Sequence, residues 1–149
     1  MHWLMDYLGK PWEPGARGPD AFDCWGLLRD VYERRFNLSL PFYPGLPHDP
    51  TASEMSQMVR TIRQELDEDW LEIPEPFEGC AVAMSQSRAY HHVGLFMEAD
   101  GPRVLHCWDG AAVMLDPLPR LKLKGLKKIT YFKHRLWPTS SKPQTRSSP

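Results

Sequence analysis

The hydrophobic pattern changes in character near Trp70, and this change restricts the possible folds more than any other feature of the chain. Before that point apolar residues recur at helical spacing, whereas after it short apolar runs are separated by turn residues. Helices followed by sequential strands are typical of an α+β domain, in which the helices cover one face of an antiparallel sheet. We expect about five strands, at residues 80–84, 92–98, 103–108, 112–115 and 128–136.

Two short turns and a series of helices complete this prediction. Asp100-Gly101 is expected to join the second and third strands, and Asp109-Gly110 to precede the fourth. Asn37 is a natural stop for the strongest helical pattern. In chain order the first half is predicted as a helix at 2–8, a tight loop at 10–19, a helix from about 22 to about 36, a proline-rich connection at 41–50, and a helix from Thr51 or Ser53 to about 69.

Cys24 is expected in the first turn of the helix that begins near residue 22. Asp20 and Asp23 are both suitable N-caps for it. A thiol at that position faces the positive end of the helix dipole, which favours the thiolate and suits a nucleophile. Free cysteine is also among the most buried residue types, so a purely structural role stays open. The apolar stripe of this helix comprises Cys24, Leu27, Leu28 and Val31.

Two histidines are candidates to act with this cysteine. His92 begins one predicted strand and His106 lies in the next, which the short turn at 100–101 makes an antiparallel neighbour. The imidazoles are then able to face each other, with Cys24 as nucleophile, His92 as base and His106 orienting the base through its second nitrogen. His91 is the competing base. Strand alternation puts His91 and His92 on opposite faces, and the pattern alone does not choose between them.

Length and charge exclude several classes of function. At 149 residues the chain has enough apolar material for one core, and we expect a single domain at 1–137 followed by a disordered tail at 138–149. With a net charge of −1 the chain has no excess of basic residues that would attract nucleic acid or an anionic membrane, so we expect neither as a partner. The N-terminus does not resemble a signal peptide and no segment is long and apolar enough to span a bilayer, so we expect a protein made in the cytoplasm.

The cysteines favour a reduced protein. The three thiols cannot all pair within one chain, and their spacing is not that of a disulfide framework. Zinc is an alternative, with Cys24, Cys80, His106 and Cys107 as possible ligands. We expect no metal, because His106 and Cys107 are adjacent in a strand and point to opposite faces, and no paired ligand spacing is present.

Three short motifs follow one another in the chain: Phe-Asp-Cys-Trp-Gly-Leu-Leu at 22–28, His-Val-Gly-Leu-Phe at 92–96 and Val-Leu-His at 104–106. In this order they resemble the motifs of the NlpC-type cysteine peptidases that cut bacterial cell-wall peptides. The loop from Gly9 to Pro19 is similar to a family loop that leads to the cysteine, and the tryptophan after the cysteine is similar to the phage-encoded branch. The chain departs from the family in having Trp12 where a tyrosine is usual, and Gly79-Cys80 where Gly-Asp is usual.

The resemblance implies a papain-like fold and a set of site residues. Cys24 is then the nucleophile, His92 the base, and His106 the residue that orients it. The match to His-Val-Gly favours His92 over His91. Candidates for contact with the substrate, beside the catalytic residues, are Trp12, Asp23, Trp25 and His91. No cofactor is implied.

The resemblance also implies a substrate and a setting. The substrate is a peptidoglycan stem peptide, cut between D-glutamate and a diamino acid. Because peptidoglycan lies outside the cytoplasmic membrane, we expect the protein to be incorporated into a phage tail or phage-like particle, with tail proteins as partners. The rival interpretation is a tail assembly or scaffold protein that keeps the peptidase fold without turnover, and the bulky Trp12 and Trp25 near the thiol favour it.

Overall fold

A six-stranded antiparallel sheet forms the centre of the protein, with strand order β1-β6-β2-β3-β4-β5. The computed structural model describes residues 2–40, 68–86 and 92–137. In chain order its elements are a 3-10 helix His2–Asp6, α1 Cys24–Phe36, β1 Trp70–Ile73, β2 Ala81–Ser85, β3 His92–Glu98, β4 Pro102–Cys107, β5 Val113–Pro117, α2 Leu118–Leu123 and β6 Lys128–His134.

The middle of the sheet is the predicted meander. Strands β2 to β5 pair with their sequence neighbours, and the turns at Asp100-Gly101 and Asp109-Gly110 join β3 to β4 and β4 to β5 as expected. Asp100, Gly101 and Gly110 all have positive φ, the conformation that short hairpin loops require and that Gly and Asp tolerate best. The predicted strands and the helix-then-sheet order are therefore confirmed.

Alternation along the strands gives the sheet two different faces. The first face packs against α1 and carries the larger core, to which Ala83, Leu95 and Leu105 belong. The second face carries a smaller core, which includes Phe96 and Val104 and is covered by Leu121 and Leu126. His92, His106 and Asp116 occupy second-face positions in β3, β4 and β5, since each is an even number of residues from Phe96 or Val104.

Helix α1 begins and ends where its sequence indicates. Asp23 is the N-cap, and its side chain accepts the N–H of Gly26; a cap of this kind stabilises a helix by about 1 kcal/mol. Asn37 ends the helix in the left-handed conformation with φ of 59°. Tyr32, on the buried side, donates its hydroxyl to the carbonyl of Gly79 just before β2, which fixes the helix against the sheet.

Two elements were not predicted, and several predictions lie on residues that are not described. β1 forms an edge of the sheet by pairing with β6, and α2 is a single short helix between β5 and β6. Most of the second predicted helix, from Thr51 or Ser53 to about Asp69, and the predicted tail at 138–149 fall outside the described residues. No helix within the described ranges is long and apolar enough to cross a membrane.

Candidate active site

The loop at residues 9–19, here called the approach loop, is bound to the sheet on its way to α1. The N–H of Gly9 donates to the carbonyl of Val113, and the N–H of Val113 donates to the carbonyl of Lys10. The N–H of Trp12 donates to the carbonyl of Ala111. These bonds extend the antiparallel pairing beyond β5, so the loop that precedes the cysteine is placed by the same strand that carries Asp116.

Asp23 ties the approach loop to the start of α1. One carboxylate oxygen accepts the N–H of Gly26 at 2.7 Å, and the other accepts the N–H of Gly15 at 3.1 Å. Asp23 was predicted as a substrate contact. Both of its oxygens already have backbone partners within the chain, so its clear role is to hold the loop and the helix together, and contact with substrate stays a prediction.

Gly26 lets the approach loop cross the first turn of α1. A Cβ at this position would overlap the carbonyl oxygen of Ala16, and would lie 3.0 Å from Asp23 Oδ1 and 3.1 Å from the Cα of Arg17. The same carbonyl of Ala16 accepts the N–H of Asp23. The glycine two residues after the cysteine is therefore required by close packing of backbone on backbone.

Cys24 is half-buried at the start of α1, and its thiol reaches the beginning of β3. Burial, and to a smaller degree the adjacent Asp23 carboxylate, raise the pKa of this thiol to about 12. Hydrogen bonds from the N–H groups of Val93 and Trp25 lower the pKa, but they do not offset burial. At the start of α1 burial therefore has the larger effect on the thiol, which was the alternative that the sequence left open. The thiol needs a base.

The two predicted histidines lie side by side at the end of the sheet where β3 begins and β4 ends. His92 Nε2 is 2.8 Å from His106 Nδ1, and both side chains are buried. The contact with Val93 brings the Cys24 thiol to the residue that follows His92. A buried carboxylate, Asp116, lies 2.9 Å from the other nitrogen of His106 and was not predicted.

Gly94 makes room for this pair of imidazoles. The β3–β4 register runs from Glu98 and Pro102 to Leu95 and Leu105, and both histidines lie just beyond its last pair. A Cβ on Gly94 would lie 2.7 Å from the carbonyl oxygen of Leu105 and 3.0 Å from the Cβ of His106. The glycine of His-Val-Gly thus allows β4 to approach β3 closely enough for His106 to reach His92.

Trp108 and Lys124 enclose the histidines from the side. The ring of Trp108 meets both imidazoles edge-on, with centroids 5.5 Å from His92 and 5.9 Å from His106. The ammonium group of Lys124 lies 5.3 Å from the centroid of Trp108 and 3.8 Å from the carboxylate of Asp116. Neither side chain was singled out from the sequence.

The remaining predicted residues fall into three groups. Trp12 and Trp25 are partly buried and pack against the first-face core, so their contact with substrate stays a prediction. His91 lies outside the described residues. Of the proposed zinc ligands, Cys80 is buried in the second-face core, whereas Cys107 is on the first face and its thiol donates to the carbonyl of Phe22 at 3.2 Å. Across the described residues, no group of three or more His, Cys, Asp or Glu is arranged to hold a metal.

The fold places a cysteine at a helix start close to a pair of histidines at one end of an antiparallel sheet. The sequence profile of the NlpC/P60 family matches residues 9–128, and the chain belongs to the NlpC/P60 family. Among curated proteins, none matches the chain.

Two solved structures are similar in fold. One is the NlpC/p60 domain of the peptidoglycan hydrolase SagA, at 16% identity and a TM-score of 0.58, covering 87% of this chain and 92% of that one. The other is a lipoprotein-like protein of the NLP/P60 family from Staphylococcus aureus subsp. aureus Mu50, at 22% identity and a TM-score of 0.53, covering 87% of this chain and 39% of that one. These likenesses confirm the predicted papain-like α+β fold. The phage-associated branch stays a prediction.

Proposed function

We propose that this protein is a cysteine peptidase that hydrolyses an amide bond in peptidoglycan stem peptides. Cys24 is the nucleophile, His92 the base and His106 the residue that orients it. The observation that carries the proposal is the 2.8 Å contact between His92 Nε2 and His106 Nδ1. Because His106 engages Nε2, Nδ1 is the nitrogen of His92 that acts on the thiol, which is held at the neighbouring Val93. Membership of the NlpC/P60 family supports the same reaction class.

The reaction divides into two steps. His92 takes the proton of the Cys24 thiol while Sγ bonds to the carbonyl carbon, and the N–H of Cys24 at the start of α1 stabilises the oxyanion. His92 then gives the proton to the amine nitrogen as the C–N bond breaks, which leaves a thioester. In the second step His92 takes a proton from water, the hydroxide attacks the thioester carbonyl, and the thiolate that leaves recovers the proton.

The bond proposed for cleavage joins D-glutamate to a diamino acid. The support for a cell-wall substrate is the fold shared with the domain of a peptidoglycan hydrolase. The partial burial of Cys24 is consistent with this mechanism. His92 takes the proton from the thiol during the reaction, so Cys24 does not need to be a solvated thiolate beforehand.

Incubation of the purified protein with muropeptides tests this function. We expect the wild type to give products whose masses place the cut between D-glutamate and the diamino acid, and Cys24→Ala to give none. Cys80→Ala is the matched control, because it removes a buried thiol from the second-face core and should keep cleavage. Cleavage retained by Cys24→Ala would refute the role of Cys24.

A scaffold without turnover is the second candidate, favoured by the raised pKa of the Cys24 thiol and by Trp12 and Trp25 near it. The same assay separates the two. A folded wild type that leaves every muropeptide intact supports the scaffold and contradicts the peptidase.

We further propose that the protein works as part of a phage tail or phage-like particle, with tail proteins as partners. The support is the resemblance of Asp23-Cys24-Trp25-Gly26 to phage-encoded relatives, together with free thiols that suit assembly in a reducing compartment. Mass spectrometry of purified particles is expected to detect the protein. Its absence from particles, together with secretion by cells that make it alone, contradicts this setting.

A further inference from the structure

We propose that Asp116 is a positioning residue that acts through His106 to fix which nitrogen of His92 carries a proton. The inference rests on the proposed function, in which His92 is the base. The role of Asp116 is then to keep Nδ1 of His92 unprotonated, so that this nitrogen is able to receive the proton of the Cys24 thiol.

The first step concerns the contact between Asp116 and His106. Asp116 Oδ2 lies 2.9 Å from His106 Nε2, and the two side chains are respectively 9% and 0% exposed. A carboxylate accepts hydrogen bonds through its oxygens, so Nε2 is the nitrogen of His106 that carries the hydrogen. The ammonium group of Lys124, 3.8 Å from the same oxygen, adds a positive charge that complements the carboxylate.

The second step concerns the protonation state of His106. Burial lowers the pKa of its imidazole, and Asp116 opposes this only in part. The ring is therefore neutral at neutral pH and carries a single N–H. Since that hydrogen is on Nε2, the other nitrogen, Nδ1, has a free lone pair and is an acceptor.

The third step concerns which nitrogen of His92 carries the hydrogen. His92 Nε2 is 2.8 Å from His106 Nδ1, and two acceptor nitrogens at this distance would repel each other. His92 must therefore donate from Nε2. In its neutral form His92 then has no hydrogen on Nδ1, which is the state required of a base. When His92 accepts the thiol proton on Nδ1, its Nε2–H keeps the hydrogen bond to His106. The series of hydrogen bonds from Asp116 through His106 to His92, here called the relay, therefore does not change.

The sheet makes this relay rigid. Asp116 is opposite Val104 in the β4–β5 register, and His106 is two residues further along the same face of β4. The side chains of His106 and Asp116 are buried, so water has little access to offer alternative hydrogen bonds. Without the carboxylate, the two neutral tautomers of His106 become closer in free energy, and part of the population carries the hydrogen of His92 on Nδ1.

Ring-nitrogen NMR of protein labelled with 15N-histidine tests the proposal without any substrate. In the wild type at neutral pH we expect His92 and His106 both to carry hydrogen on Nε2, with both Nδ1 atoms unprotonated. In Asp116→Leu, which has similar size but no acceptor, we expect signals of the Nδ1–H tautomer to appear for both rings. Lys124→Met is the matched control, because it changes the same cluster but leaves the carboxylate, and the wild-type pattern should persist.

Kinetics supply the second readout. Because Asp116 lies behind the histidines, Asp116→Leu should lower kcat by about 10-fold to 100-fold and leave KM within about twofold. A wild type with hydrogen on Nδ1 of either ring overturns the inference even if the variant does not fold. An unchanged tautomer pattern in folded Asp116→Leu also overturns it. If the tautomers behave as expected but the wild type cleaves no muropeptide, the proposed function fails and the role of Asp116 stands.

Discussion

His92→Ala is expected to lower kcat for muropeptide cleavage by about 10³-fold while the protein stays folded. The reason is the state of the nucleophile. Because the pKa of the Cys24 thiol is raised to about 12, roughly one thiol in 10⁵ is ionised at pH 7 without help from a base. His92 supplies that help during the reaction, so its removal leaves Cys24 almost entirely as the weakly reactive thiol. Steady-state kinetics with the muropeptide cleaved by the wild type measure the loss.

His134→Ala is the control for this variant. His134 is also a buried histidine, but it lies in β6 beside Trp70, and its Nδ1 accepts the N–H of Leu136. Its loss is expected to lower the melting temperature and to change kcat by less than about threefold, since it makes no contact with the reacting groups. A His92→Ala protein with nearly wild-type kcat, or a His134→Ala protein with an equal loss, contradicts the assignment of the base.

Gly26→Ala is expected to destabilise the protein by about 1–3 kcal/mol and to abolish most of its activity. Helix propensity alone predicts the opposite sign, because alanine is better than glycine inside a helix by about 0.5–1 kcal/mol. The new methyl group, however, would overlap the carbonyl oxygen of Ala16, and that carbonyl cannot move without loss of its bond to the N–H of Asp23. The approach loop must then shift away from the start of α1, and Cys24 with it.

Thermal unfolding followed by circular dichroism checks this result, with a fall in melting temperature of about 4–10 °C expected. Glu33→Ala is the matched control, because Glu33 is exposed in the same helix and alanine there meets no neighbouring backbone. It should change stability by less than about 0.5 kcal/mol. A Gly26→Ala protein as stable as the wild type would show that the loop does not depend on this close approach.

The sequence was sufficient for features whose signals are local. The helix from Cys24 to Phe36 has its signals within one short segment: Asp23 was one of two candidate N-caps, and Leu27, Leu28, Val31 and the stop at Asn37 were predicted. The juxtaposition of His92 and His106 also followed from local information, because a short turn between two strands sets which side chains face each other. These are short-range rules of spacing and turn geometry.

The features that were missed depend on contacts between distant parts of the chain. Strand β1 is short and half-polar, and its partner β6 lies near the other end of the described chain, so no local pattern marks it. Helix α2 buries only Leu121 and has little periodicity. Asp116 reaches His106 only because the β4–β5 register brings it onto the histidine face. A register one residue different would have placed it on the other face.

The pKa of the Cys24 thiol also depends on contacts between distant parts of the chain. Its position at a helix N-terminus was visible in the sequence and correctly suggested a dipole that favours the thiolate. The burial that opposes the dipole arises from packing of the approach loop and β3 around α1, which only the tertiary structure reveals. In the proposed mechanism His92, which the sequence also named as the base, therefore takes the proton from a thiol rather than meeting a preformed thiolate.

Covalent trapping tests the central claim, that Cys24 is the reactive nucleophile of a site that accepts a D-glutamyl carbonyl, most directly, because its sulfur displaces chloride from the chloromethyl carbon and forms a stable thioether. The probe is an L-alanyl-D-glutamate peptide with a chloromethyl ketone at the position of the scissile carbonyl, and its L-glutamate isomer is the control. Tryptic cleavage after Arg17 and Arg29 releases residues 18–29, which contain Cys24 as their only cysteine. We predict an adduct on this peptide in the wild type that intact muropeptide prevents and that Cys24→Ala lacks. No adduct, an adduct only on Cys80 or Cys107, or equal labelling by both isomers contradicts the account.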